Sequence, residues 1–242
     1  RLVQPCKGEN PAAHTLACNL IRKSENTLQI SVQHFLTDAL STQRCGTDEL
    51  DPPPLCRRYA DILEAVAITD STSLVTVWPI IMDELQSDDT EVRTRAVKLF
   101  GRILAAPGCT VARDFGHYLQ QFLRRFDDRK TEIRVEMAKW GSSFLLGFGD
   151  EDVSVAKEVV GHFNSGLGDW EEKVRLATVS AVCDVAEALP RLVDVELLRL
   201  VGVRMRCKKN SVRQLVLKRL ASVYRAYVAR YADADPPQSE SE

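Results

Sequence analysis

From residue 90 onward, apolar stripes of helical period alternate with short polar turns. Four segments align without gaps: Val92 to Leu104, Ile133 to Leu145, Val174 to Ala186 and Val212 to Tyr224. Five positions after each opening residue stand Val97, Ala138, Val179 and Leu217, and eleven after it stand Ile103, Phe144, Val185 and Val223. Position nine holds Gly101, Ser142, Cys183 and Ala221, all small. Apolar residues at helical spacing with one small column describe a helix buried on most of its circumference and closely approached by a neighbour. Gly inside a helix costs roughly 1 kcal/mol relative to Ala, so Gly101 and Gly141 are assigned to packing. Each opening residue is β-branched and is followed by Arg93, Arg134, Arg175 or Arg213, at intervals of 41, 41 and 38 residues. That spacing matches repeats built from helical pairs, roughly 40 residues each.

The partner helices then fall between these segments, at Ser73–Gln86, Ala112–Phe126, Val153–Gly166 and Val193–Cys207. Upstream, Pro11–Lys23 and Asn26–Ser41 read as a further pair and Leu55–Ile68 as one more helix. Thr42–Pro54 contains Gly46 and three consecutive prolines, Pro52 to Pro54; no helix crosses such a stretch. Ala232–Glu242 is a polar tail with the composition of a disordered segment. Strand signals are nearly absent. The expected architecture is an all-α superhelical solenoid of about six helical pairs over 1–231, with the loop at 42–54 and the tail at 232–242.

Acidic residues precede the repeated helices. Asp128 lies six residues before Arg134 and Asp169 six before Arg175. An aspartate there can satisfy free N–H groups at a helix start. The arginines Arg93, Arg134, Arg175 and Arg213 are expected to bridge such carboxylates from adjacent repeats as a structural ladder. Asp88 and Asp89 serve the first repeat less regularly; in the fourth the position is Cys207, where the ladder should break.

Composition narrows the partners. Across 242 residues, 32 Lys and Arg face 34 Asp and Glu, a net charge of −2, so any attraction to nucleic acid must be local. No apolar run reaches the roughly 18 residues of a membrane span. The seven cysteines, Cys6, Cys18, Cys45, Cys56, Cys109, Cys183 and Cys207, contain no C-x-x-C pair; zinc and redox motifs need close pairs. A reducing compartment follows. His14, His34, His117 and His162 lack a spaced partner, so no metal is expected. Acidic residues cluster at turns rather than as paired carboxylates, and neither a phosphate-cradling glycine loop nor a nucleophile elbow is present. No catalytic residue and no cofactor are assigned.

The strongest local feature is basic. Arg199 to Arg230 contains no Asp or Glu, and Arg204, Arg206, Lys208, Lys209 and Arg213 straddle a turn between helices. Cations and free N–H groups there can converge on a phosphate or an acidic peptide. The competing reading is a solvated face against a further repeat. Tyr224, Tyr227 and Tyr231 are too sparse to stack single-stranded nucleic acid.

Trp78-Pro79-Ile80-Ile81, followed by Leu85-Gln86-Ser87-Asp88 and Val92-Arg93, resembles the HEAT consensus, in which a kinking Pro precedes an acidic turn and a Val-Arg. More narrowly, an ordered set of motifs is similar to the cohesin-associated precocious-dissociation-of-sisters (Pds) family. It comprises SLVTVWP at Ser73–Pro79, EVRTRAVKLFGRIL at Glu91–Leu104 with Ala106-Pro107-Gly108, FLRRFDDR at Phe122–Arg129, EEKVRLATVSAVCDVA at Glu171–Ala186 and KKNSVRQLVLKRLASVYR at Lys208–Arg225. The match runs from about Leu55 to Tyr231 and is looser before it. The resemblance implies a nuclear, chromatin-associated scaffold that binds the kleisin subunit of cohesin and recruits release and acetylation factors. It also implies a possible inositol polyphosphate ligand, which these motifs do not place on particular residues. The alternatives are a general HEAT adaptor of the transport-receptor or phosphatase-scaffold type, and direct DNA binding through the Arg204–Arg230 face.

Overall fold

The computed structural model describes residues 59–69, 71–148 and 153–231, with isolated helical positions at 30, 34, 37 and 38. The expected pair Pro11–Lys23 and Asn26–Ser41 (those four positions apart), the loop Thr42–Pro54 and the tail Ala232–Glu242 lie outside the described residues. Among the described residues there is no strand; the elements are α-helices joined by 3-10 turns. They form two compact units that divide between Ile133 and Arg134.

The first unit contains α1 (Tyr59–Thr69), α2 (Trp78–Gln86), α3 (Thr90–Leu104), the single turn α4 (Val111–Asp114) and α5 (Gly116–Leu123). The next helix, α6 (Thr131–Phe148), begins in this unit and continues into the second. α3 packs on α1 and α2, and α2 also on α5. Each of α2, α3 and α5 sends one aromatic residue inward, so Trp78, Phe100 and Phe122 are fully buried. Ring centroids lie 5.8 Å apart for Trp78 and Phe100 and 5.4 Å for Phe100 and Phe122, both edge-on, the arrangement that aromatic quadrupoles favour.

The second unit holds the rest of α6, then α7 (Val153–Gly168), α8 (Glu172–Ala188), α9 (Val195–Val203) and α10 (Asn210–Tyr231). α8 packs between α7 and α10, while α9 touches α7, α8 and α10. Phe144, Phe163, Val179, Val182, Val201, Val212 and Val216 fill its interior.

The second helices of the repeats, α3, α6, α8 and α10, each begin two residues before the opening β-branched residue. The first helices differ from the sequence expectation. Ser73–Gln86 is not continuous: a 3-10 turn at Ser71–Leu74 precedes α2, which starts at Trp78 with Pro79 in its first turn. Proline lacks an N–H, which the first turn of a helix does not need for an intrahelical bond, so it is accommodated where this helix starts instead of kinking it. Ala112–Phe126 breaks at Phe115, whose φ and ψ of −129° and 52° leave the helical region; its ring lies beside Trp78 at 6.5 Å. Val193–Cys207 shortens because Asp194 caps α9, accepting from Leu197 N–H at 2.7 Å. The small column also divides. Gly101, Ser142 and Cys183 are buried but Ala221 is exposed, and Leu217 is 60% exposed where Val97, Ala138 and Val179 are buried. No described element covers that face of α10.

Two expectations follow. A Cβ added at Gly166 would stand 2.5 Å from Thr178 Oγ1 and 3.1 Å from its methyl, and Thr178 is buried and hydrogen-bonded to Val174 O. Gly166→Ala should therefore lose about 1–3 kcal/mol in urea unfolding, outweighing the ~1 kcal/mol that Ala gains in a helix, and Thr178→Ala should restore most of it. A single variant as stable as the native chain would contradict this close approach. Burial pushes the Cys109 and Cys183 thiols up to about 11, whereas Cys207 is half-buried. Site-resolved alkylation at pH 8 should label Cys207 while leaving Cys109 and Cys183 untouched until the chain unfolds. Because both native values are raised, the stability they contribute is complete below 9 and falls as pH climbs toward 11.

Candidate functional site

Each repeat turns from its first to its second helix in the same way. Ser87, Asp128, Asp169 and Cys207 occupy equivalent positions, each donating its backbone N–H to the carbonyl three residues earlier: Glu84, Arg125, Gly166 and Arg204, at 3.2, 3.2, 3.4 and 3.0 Å. In the first three turns the side-chain oxygen accepts the N–H two residues on: Ser87 Oγ from Asp89 at 3.2 Å, Asp128 Oδ1 from Lys130 at 2.9 Å and Asp169 Oδ1 from Glu171 at 2.7 Å. Thus Ser87, not Asp88 or Asp89, is the first member of this series; Asp89 instead caps α3 through Glu91 N–H. A thiol at Cys207 is a weak acceptor and cannot match these bonds.

The repeated arginine closes the turn from the other side. Arg93 Nη1 donates to Ser87 O at 2.6 Å and Asp88 O at 3.0 Å. Arg175 does the same to Asp169 O and Trp170 O at 2.6 and 2.9 Å. So does Arg213 to Cys207 O and Lys208 O, at 2.6 and 2.8 Å. These carbonyls would otherwise be left without partners where the first helix ends.

The opposite edge of the guanidinium carries the ladder. Arg93 Nε and Nη2 meet the two Asp128 oxygens at 3.2 and 3.4 Å, and Arg125 Nη1 adds a contact to Asp128 Oδ2 at 3.1 Å. Arg134 forks Asp169 at 2.7 and 3.0 Å and lies over the Trp170 ring. These pairs are almost fully buried, the side chains retaining 7% of their surface or less. Arg175 has no such carboxylate, and its Nε is buried without a hydrogen-bond partner among the described residues. Arg213 turns Nη2 to Asn210 Oδ1 at 3.3 Å.

The basic residues are thus divided by the fold. Arg213 is committed to the turn, Lys209 lies 3.9 Å from Glu172, and Arg219 pairs with Asp184 and Glu187. Arg230 reaches the Glu187 and Ala188 carbonyls. The side chains of Arg206, Lys208 and Arg225 are exposed, and the described residues supply no hydrogen bond or ion pair to them. Arg204 is half-buried.

An open groove of about 760 Å³ runs across α6, α8 and α10. Lys139, Ser142 and Ser143 line it from α6; Leu176, Ala177, Ser180, Ala181 and Asp184 from α8; Ser211, Gln214, Leu215 and Lys218 from α10. Reading the apolar columns missed these residues. For Lys139, Ser143, Ser180, Asp184 and Lys218 the signal lies in the polar columns of the same alignment, six and ten positions after the opening residue, which hold Lys98, Lys139, Ser180 and Lys218, and Arg102, Ser143, Asp184 and Ser222. A floor of short hydroxyls and small apolar groups flanked by lysines suits an extended polypeptide with free backbone groups. Among the described residues no three His, Cys, Asp or Glu side chains stand together as a metal site, and no helix is long and apolar enough to cross a membrane.

Comparison with known proteins bears on what such a surface serves. The family model of the sister chromatid cohesion protein PDS5 matches residues 1–241. Sister chromatid cohesion protein PDS5 homolog A of Arabidopsis thaliana is 26% identical over 92% of this chain. PDS5 homolog B of Homo sapiens is 26% identical over 96% of it. The chain spans only 13% and 15% of those relatives. A solved chain from the Pds5-Scc1 complex, a study bearing on cohesin function, superimposes with a TM-score of 0.71 at 16% identity, covering 90% of this chain and 33% of its own. Cex1p superimposes at 0.56 and 15% identity, covering 93% and 45%. The fold is that of an all-α HEAT-repeat solenoid.

Removing one member of a buried, forked ion pair strands the other charge, at roughly 3–5 kcal/mol. Asp128→Ala should lose about that much in denaturant unfolding, and Arg93→Ala combined with it should add much less than the sum of the singles. Full additivity would show that Arg93 and Asp128 do not act as a unit.

Proposed function

The chain belongs to the PDS5 family of sister chromatid cohesion proteins, and from that premise we propose that it is a non-catalytic scaffold holding an extended segment of the cohesin kleisin. The observation that carries this reading is the family match, which takes in residues 1–241. The fold alone would not select it, since Cex1p shares the helical architecture. The kleisin enters because a relative of the same fold has been solved in a Pds5-Scc1 complex. On this reading the protein acts in the nucleus on chromatin, and release and acetylation factors of cohesin meet it there as further partners.

The groove across α6, α8 and α10 is the surface best suited to such a segment. Ser142, Ser143, Ser180, Ser211 and Gln214 offer donors and acceptors to a peptide backbone, and Leu176, Ala177 and Leu215 offer shallow apolar contact. The walls are second helices pinned by their repeat arginines, so the scaffold loses little conformational entropy on binding. The exposed basic turn at Arg206 and Lys208 supplies attraction for acidic stretches or an inositol polyphosphate, a rim effect that speeds association.

Overlapping recombinant kleisin fragments, titrated against the purified chain, test the reading. At least one fragment should bind, and Ser180→Trp, which fills the groove floor, should weaken it by roughly tenfold, equivalent to about 1.4 kcal/mol, with the unfolding midpoint unchanged. If no fragment binds, the kleisin assignment fails. If one binds equally well to Ser180→Trp, the groove is not its seat.

A further inference from the structure

We propose that the turn between α9 and α10 is a receptor for a carboxylate carried by a partner: Arg175 and Arg204 surround a place that an aspartate fills in the two preceding turns. Asp128 and Cys207 share one backbone conformation. Asp128 has φ and ψ of −61° and 144°, Cys207 −60° and 143°, and each closes the same bond to the carbonyl three residues before it. Around Asp128, three donors converge on the carboxylate: the forked edge of Arg93, Nη1 of Arg125 and the Lys130 N–H. The equivalent positions at the later turn are Arg175, Arg204 and the Lys209 N–H. Both arginines of the cradle are retained, and the acid is replaced by Cys207.

The decisive atom is Arg175 Nε. Its counterparts in Arg93 and Arg134 bond an aspartate oxygen, at 3.2 and 2.7 Å, whereas Arg175 Nε is buried and has no partner among the described residues. Arg175 cannot swing away, because its Nη1 is held by the Asp169 and Trp170 carbonyls. A buried donor at the edge of a guanidinium fixed in this way calls for an acceptor. Among the described residues none is offered by this stretch: Arg199 to Tyr231 contains no Asp or Glu, and Glu172, which reaches this turn, is engaged by Ser211 and Lys209. The turn is half-open, with Arg175, Arg204 and Cys207 all intermediate in exposure and Arg206 and Lys208 exposed beside them. The planar fork selects a carboxylate with two coplanar oxygens; the surrounding cations select one set within an acidic stretch. The occupant is therefore an Asp or Glu side chain of an acidic peptide, completing in trans the rung that Asp128 and Asp169 complete in cis. This holds whichever protein carries the acid, and its failure would leave the kleisin reading of the groove untouched.

The test uses the full chain and fluorescein-labelled hexaglutamate, with hexaglutamine and inorganic phosphate as comparison ligands. Hexaglutamate should bind the native chain and Cys207→Ser alike. Cys207→Asp, which supplies the missing acid internally, should weaken it by at least about tenfold and raise the thermal midpoint. Arg175→Lys, which keeps the charge but loses the fork, should weaken binding to a similar degree. Lys208→Gln removes one positive charge but leaves the rung empty, and should weaken binding less than about threefold. The proposal is overturned if hexaglutamate does not bind, if hexaglutamine binds as well, or if Cys207→Asp leaves either affinity or midpoint unchanged. It is equally overturned if Lys208→Gln matches Cys207→Asp, which would make the effect one of bulk charge, or if phosphate alone is displaced by Cys207→Asp, which would make the site a phosphate site. Since Cys207→Asp is expected to stabilise, a folding failure of Arg175→Lys leaves the test intact.

Discussion

A guanidinium buried one turn into a helix must have its donors occupied, and in this protein that requirement organises the repeat. Arg93, Arg175 and Arg213 each close the preceding turn through the same two carbonyls, six and five residues back. The other edge of Arg93 and of Arg134 then takes an aspartate from the next repeat, 35 residues on. One side chain thus does two tasks: it ends a first helix cleanly, and it sets the distance between successive turns. Apolar packing is less directional, since ridges seat in grooves with a spread of angles and distances. A forked ion pair has one geometry.

That fixed spacing is what makes a surface out of separate helices. Apart from Ser211, the groove across α6, α8 and α10 is assembled from residues two to ten positions past each opening residue, so its lining repeats with the turns. Ser, Ala and Leu on its floor present no single anchoring pocket. Such a surface suits an extended chain better than a compact ligand, and binding then depends on the register of polar contacts along it. In a fold that Cex1p shares, the helices provide rigidity, and what distinguishes one such surface from another is the few side chains facing the groove and the turns.

The departures from regularity are where the chemistry concentrates. Cys207 interrupts the aspartate series while leaving its arginines in place. On α10, Leu217 and Tyr224 are exposed where their counterparts in the earlier second helices belong to buried columns. Phe115 leaves the helical region and breaks what would be one long first helix, with its ring beside Trp78. In each case a local rule yields to something the repeat does not supply by itself.

Much of the architecture was legible from one observation, the recurrence of a β-branched residue and arginine with apolar columns behind them. It located the starts of all four second helices to within two residues, because burial writes its period directly into the choice of side chains. It also marked Asp128, Asp169 and Cys207 as the positions where the turns agree or differ. The first helices were less legible: a 3-10 turn before α2, the break at Phe115 and the late start of α9 rest on a proline, a single residue outside the helical region and a cap, each acting against similar local propensities. Which cations stay free was not legible at all. Arg204, Arg206, Lys208, Lys209 and Arg213 look equivalent as a string of charges, yet three-dimensional placement ties Arg213 to carbonyls, sets Lys209 beside Glu172 and leaves Arg206 and Lys208 in solvent. Sequence determines the period, because hydrophobic burial is a property of each residue in its helix; the tertiary structure decides the site, because hydrogen bonds are properties of pairs, and the second member of each pair lies some 35 to 40 residues away.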